Sequence, residues 1–180
     1  MPRAPARDLT VLPVRAHPDK AGIATAEGQA RLLHDLVSIE LQAMELGVRT
    51  LREFPDAPAE FREQLAEVTV GEGEHLRLCL DSMDSLGFAW GRWPVHTALW
   101  ECVGESDTLL DRIVIVHRYL EGSGLDAGDS ILRRLSGVES RITRAAMQRI
   151  VDEEIGHVDF GSRWYREVCR REGLDPHADF

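Results

Sequence analysis

From Thr25 to Phe54 apolar residues return as Leu33, Leu36 with Val37, Ala43 with Met44, and Gly47 with Val48. That is the 3.6-residue rhythm of one helix face, so the segment is expected to form one long helix. Glu40 stands in the middle of the stripe, where the rhythm calls for a hydrophobe. Pro55 closes the helix, because its ring cannot continue one. A second stripe of Phe61, Leu65, Val68, Glu72, His75 with Leu76, and Cys79 predicts a helix to about Leu86. Asp56 is its expected N-cap, Pro58 lies in its first turn and Gly87 stops it. Gly71 and Gly73 inside it cost about 1 kcal/mol each relative to Ala. Small residues beside His75 let a neighbouring helix or a substrate approach closely, or let the helix bend.

The third stripe carries Leu110, Val114, His117 and Glu121 on one face, with Ser106 or Asp107 as the expected cap. Gly122 and Gly124 predict an interruption before a shorter helix from about Ala127 to Leu135. Ser136-Gly137-Val138-Glu139 has capping-box spacing, and a last helix is expected from about Glu139 to Arg171. Its inward face carries Ile150, Val151, Glu154, His157, Val158 and Gly161. Residues 1–24 hold four prolines and read as an irregular arm with a short extended piece at Leu9 to Val14. Residues 87–105, rich in Gly and Trp, read as a long crossover between the second and third helices. Trp90, Trp93 and Trp100 are expected to cover one end of the core rather than to touch chemistry. Residues 25–172 then form the helical domain and 173–180 a frayed tail. The expected fold is all-α: a four-helix bundle of two antiparallel hairpins joined by that crossover.

A formal charge of −10 over 180 residues argues against nucleic acid as a main partner, since phosphate binding needs a basic surface. The arm carries Arg3, Arg7, Arg15 and Lys20 against Asp8 and Asp19, so the helical part is more acidic still. Cys79, Cys102 and Cys169 are odd in number, widely spaced and without a C-x-x-C, as expected of reduced thiols in a cytoplasmic protein. No apolar run approaches the ~20 residues that span a bilayer. Residues 1–14 lack the continuous apolar core of a signal peptide.

The stripes contain acids and imidazoles in two similar sets: Glu40 with Glu72 and His75, then Glu121 with Glu154 and His157. The lone Glu precedes the E-x-x-H pair by 32 residues in the first set and by 33 in the second. In E-x-x-H the two side chains share one helix face. A buried, unpaired charge is costly, so inward acids and imidazoles need partners. Two hairpins folded together bring four carboxylates and two imidazoles to one centre, the donor set of dimetal carboxylate helical bundles. Four carboxylates neutralise two divalent ions and can bridge them. One imidazole per ion adds a nitrogen and leaves positions open. The bland alternative, solvated faces or internal salt bridges, is weakened by apolar neighbours at i±3 or i±4, most clearly around Glu40, Glu72 and Glu154. Glu121, with Arg118 one turn before it, is the weakest of the six. His117, four residues before Glu121, and His34 are secondary candidates for extra ligands or supporting donors, with a satisfied core or rim histidine an equal alternative. Tyr119, Trp164 and Tyr165 could relay electrons, but packing is their ordinary role. Cys79, one turn beyond His75, is a candidate for lining the cavity.

Ile39-Glu40-Leu41-Gln42-Ala43, Tyr119-Leu120-Glu121-Gly122-Ser123-Gly124-Leu125-Asp126 and Asp152-Glu153-Glu154-Ile155-Gly156-His157-Val158, with Gly161 and Trp164, carry a resemblance. They resemble the uncharacterised ferritin-like family catalogued as domain of unknown function 455. The crossover from Gly87 to Trp100 and the closing Gly173-Leu174-Asp175-Pro176 fit it too, and the likeness runs from about Arg31 to Pro176. Ser38 departs from the pattern, because the family often has a histidine before the Ile-Glu-Leu-Gln-Ala run. The chain is also short for the family, mainly at its N-terminus. The resemblance implies a ferritin-like bundle with a dimetal centre. By wider analogy with related tRNA hydroxylases, it implies oxygen-dependent oxidation.

The function expected from these features is a di-iron oxidoreductase, with manganese or a mixed Mn/Fe pair as variants. It would activate O₂ to hydroxylate or oxidise a small molecule, with electrons from an external donor and a homodimer as a compatible assembly. Ferroxidase or iron-handling work, and tRNA modification by analogy, are the alternatives; a metal-free helical scaffold is a third.

Overall fold

Thr25 starts the first long helix in the computed structural model, which describes residues 5 and 7–177. Its hydroxyl accepts the Gly28 N–H at 3.0 Å, satisfying one of the donors that every helix start leaves free. Helix α1 then runs Ala26–Glu53. Helix α2, Ala59–Ser85, follows the turn at Pro55, but Asp56 does not cap it. Pro58 holds the cap position and makes no side-chain bond there. Gly87 ends the helix at φ 81, a left-handed conformation that glycine adopts without a Cβ clash. The two helices pack along each other.

The crossover is a clasp. Among the described residues its one strand-like feature is a parallel bridge between Val11 of the arm and Val95, with Leu12 N–H donating to Val95 O at 2.8 Å. Gln42, fully buried on α1, ties the crossover down. Its Nε2 donates to His96 O at 2.9 Å. Its Oε1 accepts from Leu99 N–H at 3.2 Å and Trp100 N–H at 3.3 Å. Those two amides belong to the short helix α3, Ala98–Glu101. Trp90 and Trp93 pack on a core of Ala30, Leu33, Val37, Cys79 and Met83, so the tryptophans cover apolar surface.

The third helical run departs furthest from expectation. Helix α4, Leu109–Arg112, is capped by Thr108, which forms a capping box with Asp111. Asp107 is taken instead by Arg112 at 3.4 Å. The winding then becomes π-helical over Ile113–Leu120 and returns to α-helix as α5, Glu121–Leu135. The expected break at Gly122 and Gly124 is absent, and both lie inside α5 in open space. A helical glycine costs only about 1 kcal/mol, so the run stays continuous and its irregularity falls in the π-turns before the glycines.

Helix α6, Arg141–Glu172, is the longest. The capping box read at Ser136 and Glu139 does not form, because Ser136 Oγ donates back to Arg133 O at 2.7 Å. Gly173 closes α6 at φ 72, with Leu174 N–H donating to Cys169 O at 2.9 Å. Tyr165 Oη donates to Pro176 O at 3.2 Å, so the tail through Pro176 is tied down rather than frayed. Parts of the expected arm and tail, residues 1–4, 6 and 178–180, lie outside the described residues. Helix α6 packs against α5 and the π-helical segment and also against α2, whereas α1 and α5 flank a gap. The fold is all-α, and no helix among the described residues is long and apolar enough to cross a membrane.

Candidate metal centre

Helices α2 and α6 run past each other so that Glu72, His75, Glu154 and His157 converge. One ligand atom from each lies within 4.8 Å of all the others, and all four side chains are buried. His157 Nδ1 is 2.8 Å from Glu72 Oε1 and 3.2 Å from Glu154 Oε2. His75 Nδ1 is 3.2 Å from Glu154 Oε1 and 3.8 Å from both Glu72 Oε2 and Glu40 Oε2. The carboxylates of Glu72 and Glu154 therefore each face both imidazoles.

These short approaches are not hydrogen bonds. Both oxygens of Glu72, Glu154 Oε2 and the Nδ1 atoms of His75 and His157 are buried without a hydrogen-bond partner. Native interiors rarely leave so many polar atoms unsatisfied together. Donor atoms that approach one another closely without pointing at one another share a focus between them. This set could hold a metal ion, and the orphaned atoms fit one.

The outer carboxylates complete the picture. Glu40 is buried on α1 and faces the same group. Glu121, at the start of α5, is only 12% exposed. Burial pushes Glu40 up to about 8 against the pull of His75. Burial, and then the charges of Glu72 and Glu154, hold Glu121 well above the usual carboxylate range. Burial alone would also raise Glu72, but His157 and His75 draw it down to about 2. Burial opposes protonation of the histidines, yet Glu154 and its neighbours push His75 up to about 12 and His157 up to about 9. A site that gathers protons in this way has more negative charge than it can leave uncompensated, and divalent cations displace such protons.

Supporting residues separate into those inside the site and those outside it. His117 is buried with neither nitrogen hydrogen-bonded, edge-on to Phe160, and its Nδ1 is 3.9 Å from Glu121 Oε1. Burial lowers it to about 4, so it is a neutral imidazole at the margin of the site. Gly161 lets it come so close, since a Cβ there would overlap the His117 carbonyl. His34 does not join the group. Its ring stacks on Trp90 at 4.4 Å, and its Nε2 accepts from Gly91 N–H at 3.3 Å. Cys79 is packed in the core between α1 and α2. Trp164 is core and donates to Gln64 Oε1 at 2.8 Å, while Tyr119 is 68% exposed.

Glu153 escaped sequence reasoning. Its Oε2 accepts from His75 Nε2 at 2.9 Å, and its Oε1 accepts from Arg149 Nε at 2.9 Å. A carboxylate can only accept here, so Nε2 keeps its proton, and once a bound cation displaces the proton on Nδ1 the lone pair there faces the cluster. In the sequence Glu153 looks like the partner of Arg149 in a surface i,i+4 pair, and its link to His75 crosses between helices.

A family model described as "Protein of unknown function (DUF455)" matches residues 1–180. An uncharacterized protein of Haemophilus influenzae is 31% identical over 164 residues, covering 87% of this chain. The chain spans about 57% of that relative's length. The chain belongs to this family of unknown function.

Proposed function

Taking that membership as the premise, we propose that the chain is a dimetal carboxylate oxidoreductase that uses O₂ to hydroxylate or oxidise a small molecule. The observation that carries the reading is the set of orphaned donors, Glu72, Glu154 Oε2 and the two Nδ1 atoms, buried and within ligand reach of one another. In this proposal Glu40, Glu72 and His75 hold one ion, and Glu121, Glu154 and His157 hold the other. Glu72 and Glu154 each face both imidazoles, so they would be the carboxylates available to both ions. Iron suits the four carboxylates and two imidazoles, and manganese or a mixed pair satisfies the same donors. The four helical runs, each giving part of the donor set, are read as a ferritin-like bundle.

Two reduced iron ions supply the electrons for O₂ reduction when bound. The chain's own part is to fix donor geometry through Glu153 and His75, and to exclude water through the apolar shell. His117, neutral and buried, sets its Nδ1 3.9 Å from Glu121 Oε1 and flanks that carboxylate. Hydroxylation of a C–H bond by O₂ consumes two electrons and two protons beyond the substrate's own and releases water. The proposal therefore includes an external electron donor. The free thiols Cys79, Cys102 and Cys169 are in keeping with a reducing, cytoplasmic setting. A largely aliphatic cavity beside Glu40, Glu121 and Glu154 favours an organic substrate over ferroxidase or storage work.

The test is the Glu154→Ala variant beside the wild type, both purified from iron-rich medium. The expected result is iron and O₂ consumption in the wild type and loss of both in the variant. An iron-free wild type contradicts the proposal.

A further inference from the structure

Three of the four carboxylates of the candidate centre form one wall of a cavity of about 270 Å³ between α1, α5 and α6. Glu40, Glu121 and Glu154 line it, while His75 and His157 do not. Away from those acids its walls are largely aliphatic, including Leu36, Ile39, Leu120, Ile131, Met147 and Ile150. Among the described residues no aromatic ring lines it, and Lys20 is its one basic side chain. Lys20 stands at the rim, 61% exposed and 2.7 Å from Asp35, a carboxylate that Arg31 also meets at 3.0 Å. The cavity reaches solvent beside Gly124 and Ala127, which line it and are themselves exposed.

We infer that this cavity binds an aliphatic chain of about nine carbons, with any polar head at the Lys20–Asp35 rim and the hydrocarbon running toward Glu40, Glu121 and Glu154. The inference names the substrate class of the oxidation proposed above. It rests on that reading for the fate of the chain and not for its binding. The size follows from the volume, at roughly 30 Å³ for each water-sized group. The class follows from the walls. A flipped nucleobase needs a stacking ring and partners for its polar edge, and a sugar would find partners only at the acid wall and the Lys20 rim, leaving its other hydroxyls unpaired against the aliphatic side chains between them. A hydrocarbon needs only apolar contact.

Titration calorimetry on the metal-free full chain tests this with hexanol through dodecanol, decanoate and adenosine as probes. The expected affinity rises about fourfold per added methylene, the equivalent of the ordinary transfer free energy, and levels off near nine carbons. Decanoate binds no more weakly than decanol, because Lys20 and Arg31 outnumber Asp35 at the rim. Adenosine shows no saturable binding. Gly124→Leu and Ala127→Phe act as plugs, and Gly124 has no atom within 4 Å of a Cβ. Both variants retain the wild-type circular dichroism spectrum and bind decanol at least tenfold more weakly. Absence of chain-length dependence, adenosine binding tighter than decanol, or wild-type decanol affinity in correctly folded plugs would overturn the inference. Metal content measured on the same preparations separates the two ideas. Alcohol binding by a chain that takes up no metal sinks the dimetal centre alone, and metal uptake without alcohol binding sinks the cavity alone.

Discussion

Glu153 fixes which nitrogen of His75 faces the cluster, and it does so from a half-exposed position that contributes little to the core. Glu153→Ala should therefore fold normally and bind metal about 10- to 100-fold more weakly, the usual effect of removing a ligand's hydrogen-bond partner. Metal titration with circular dichroism on the same sample checks both halves, and unchanged affinity would show that His75 is oriented by other means. Gly71 makes a second residue-scale prediction. A Cβ there would sit 3.0 Å from His157 Nε2, so Gly71→Ala shifts the ring by a few tenths of an ångström, and metal titration should read a weaker affinity although helix propensity improves. The four that cluster, Glu72, His75, Glu154 and His157, were legible because each interrupts an apolar stripe. Glu153 was not, because neighbours along the sequence disguise a bond made across helices. His34 takes the core reading of its two, since its inward position serves the Trp90 and Trp93 packing.

At the scale of elements, the close pass of α6 over the π-helical segment positions His117 and Glu121. Gly161 is what permits it, for a methyl group there would strike backbone, including the His117 carbonyl carbon at 2.7 Å. Gly161→Ala should destabilise the fold by about 1–3 kcal/mol in chemical denaturation, the range of overpacked cores, because a backbone cannot step aside as a side chain can. A change below a few tenths of a kcal/mol would mean that α6 and the π-segment are free to separate. The long helices were readable from the 3.6-residue rhythm and from Pro55 and Gly87. Their starts were less so. Thr108 caps α4 and Pro58 precedes α2, because several polar residues compete for each cap and the winner depends on tertiary contacts. The π-winding leaves no periodic mark, and the glycines after it drew attention to the wrong turn.

For the molecule as a whole, the buried acids and imidazoles make stability and metal binding opposite functions of pH. His157 is raised from 6.5 to about 9 in the folded chain. Its stabilising contribution is thus complete below 6.5 and is lost as pH rises through about 9. His75 shifts the same way toward about 12. Glu40, raised by burial to about 8, also favours folding less as pH climbs from 4.5 to 8. The metal-free protein should melt at progressively lower temperature from pH 6.5 to 9. The stabilisation produced by added divalent metal should grow over the same window, because bound metal releases those protons. A metal-free melting temperature that rises across that range would contradict the protonation pattern. The central claim is that Glu40, Glu72, His75, Glu121, Glu154 and His157 hold two metal ions. The most direct test is anomalous scattering at the iron and manganese edges from one crystal of metal-loaded protein. Two peaks are expected among these six residues, bridged by Glu72 and Glu154. No anomalous peak within reach of the His75 and His157 Nδ1 atoms would contradict it.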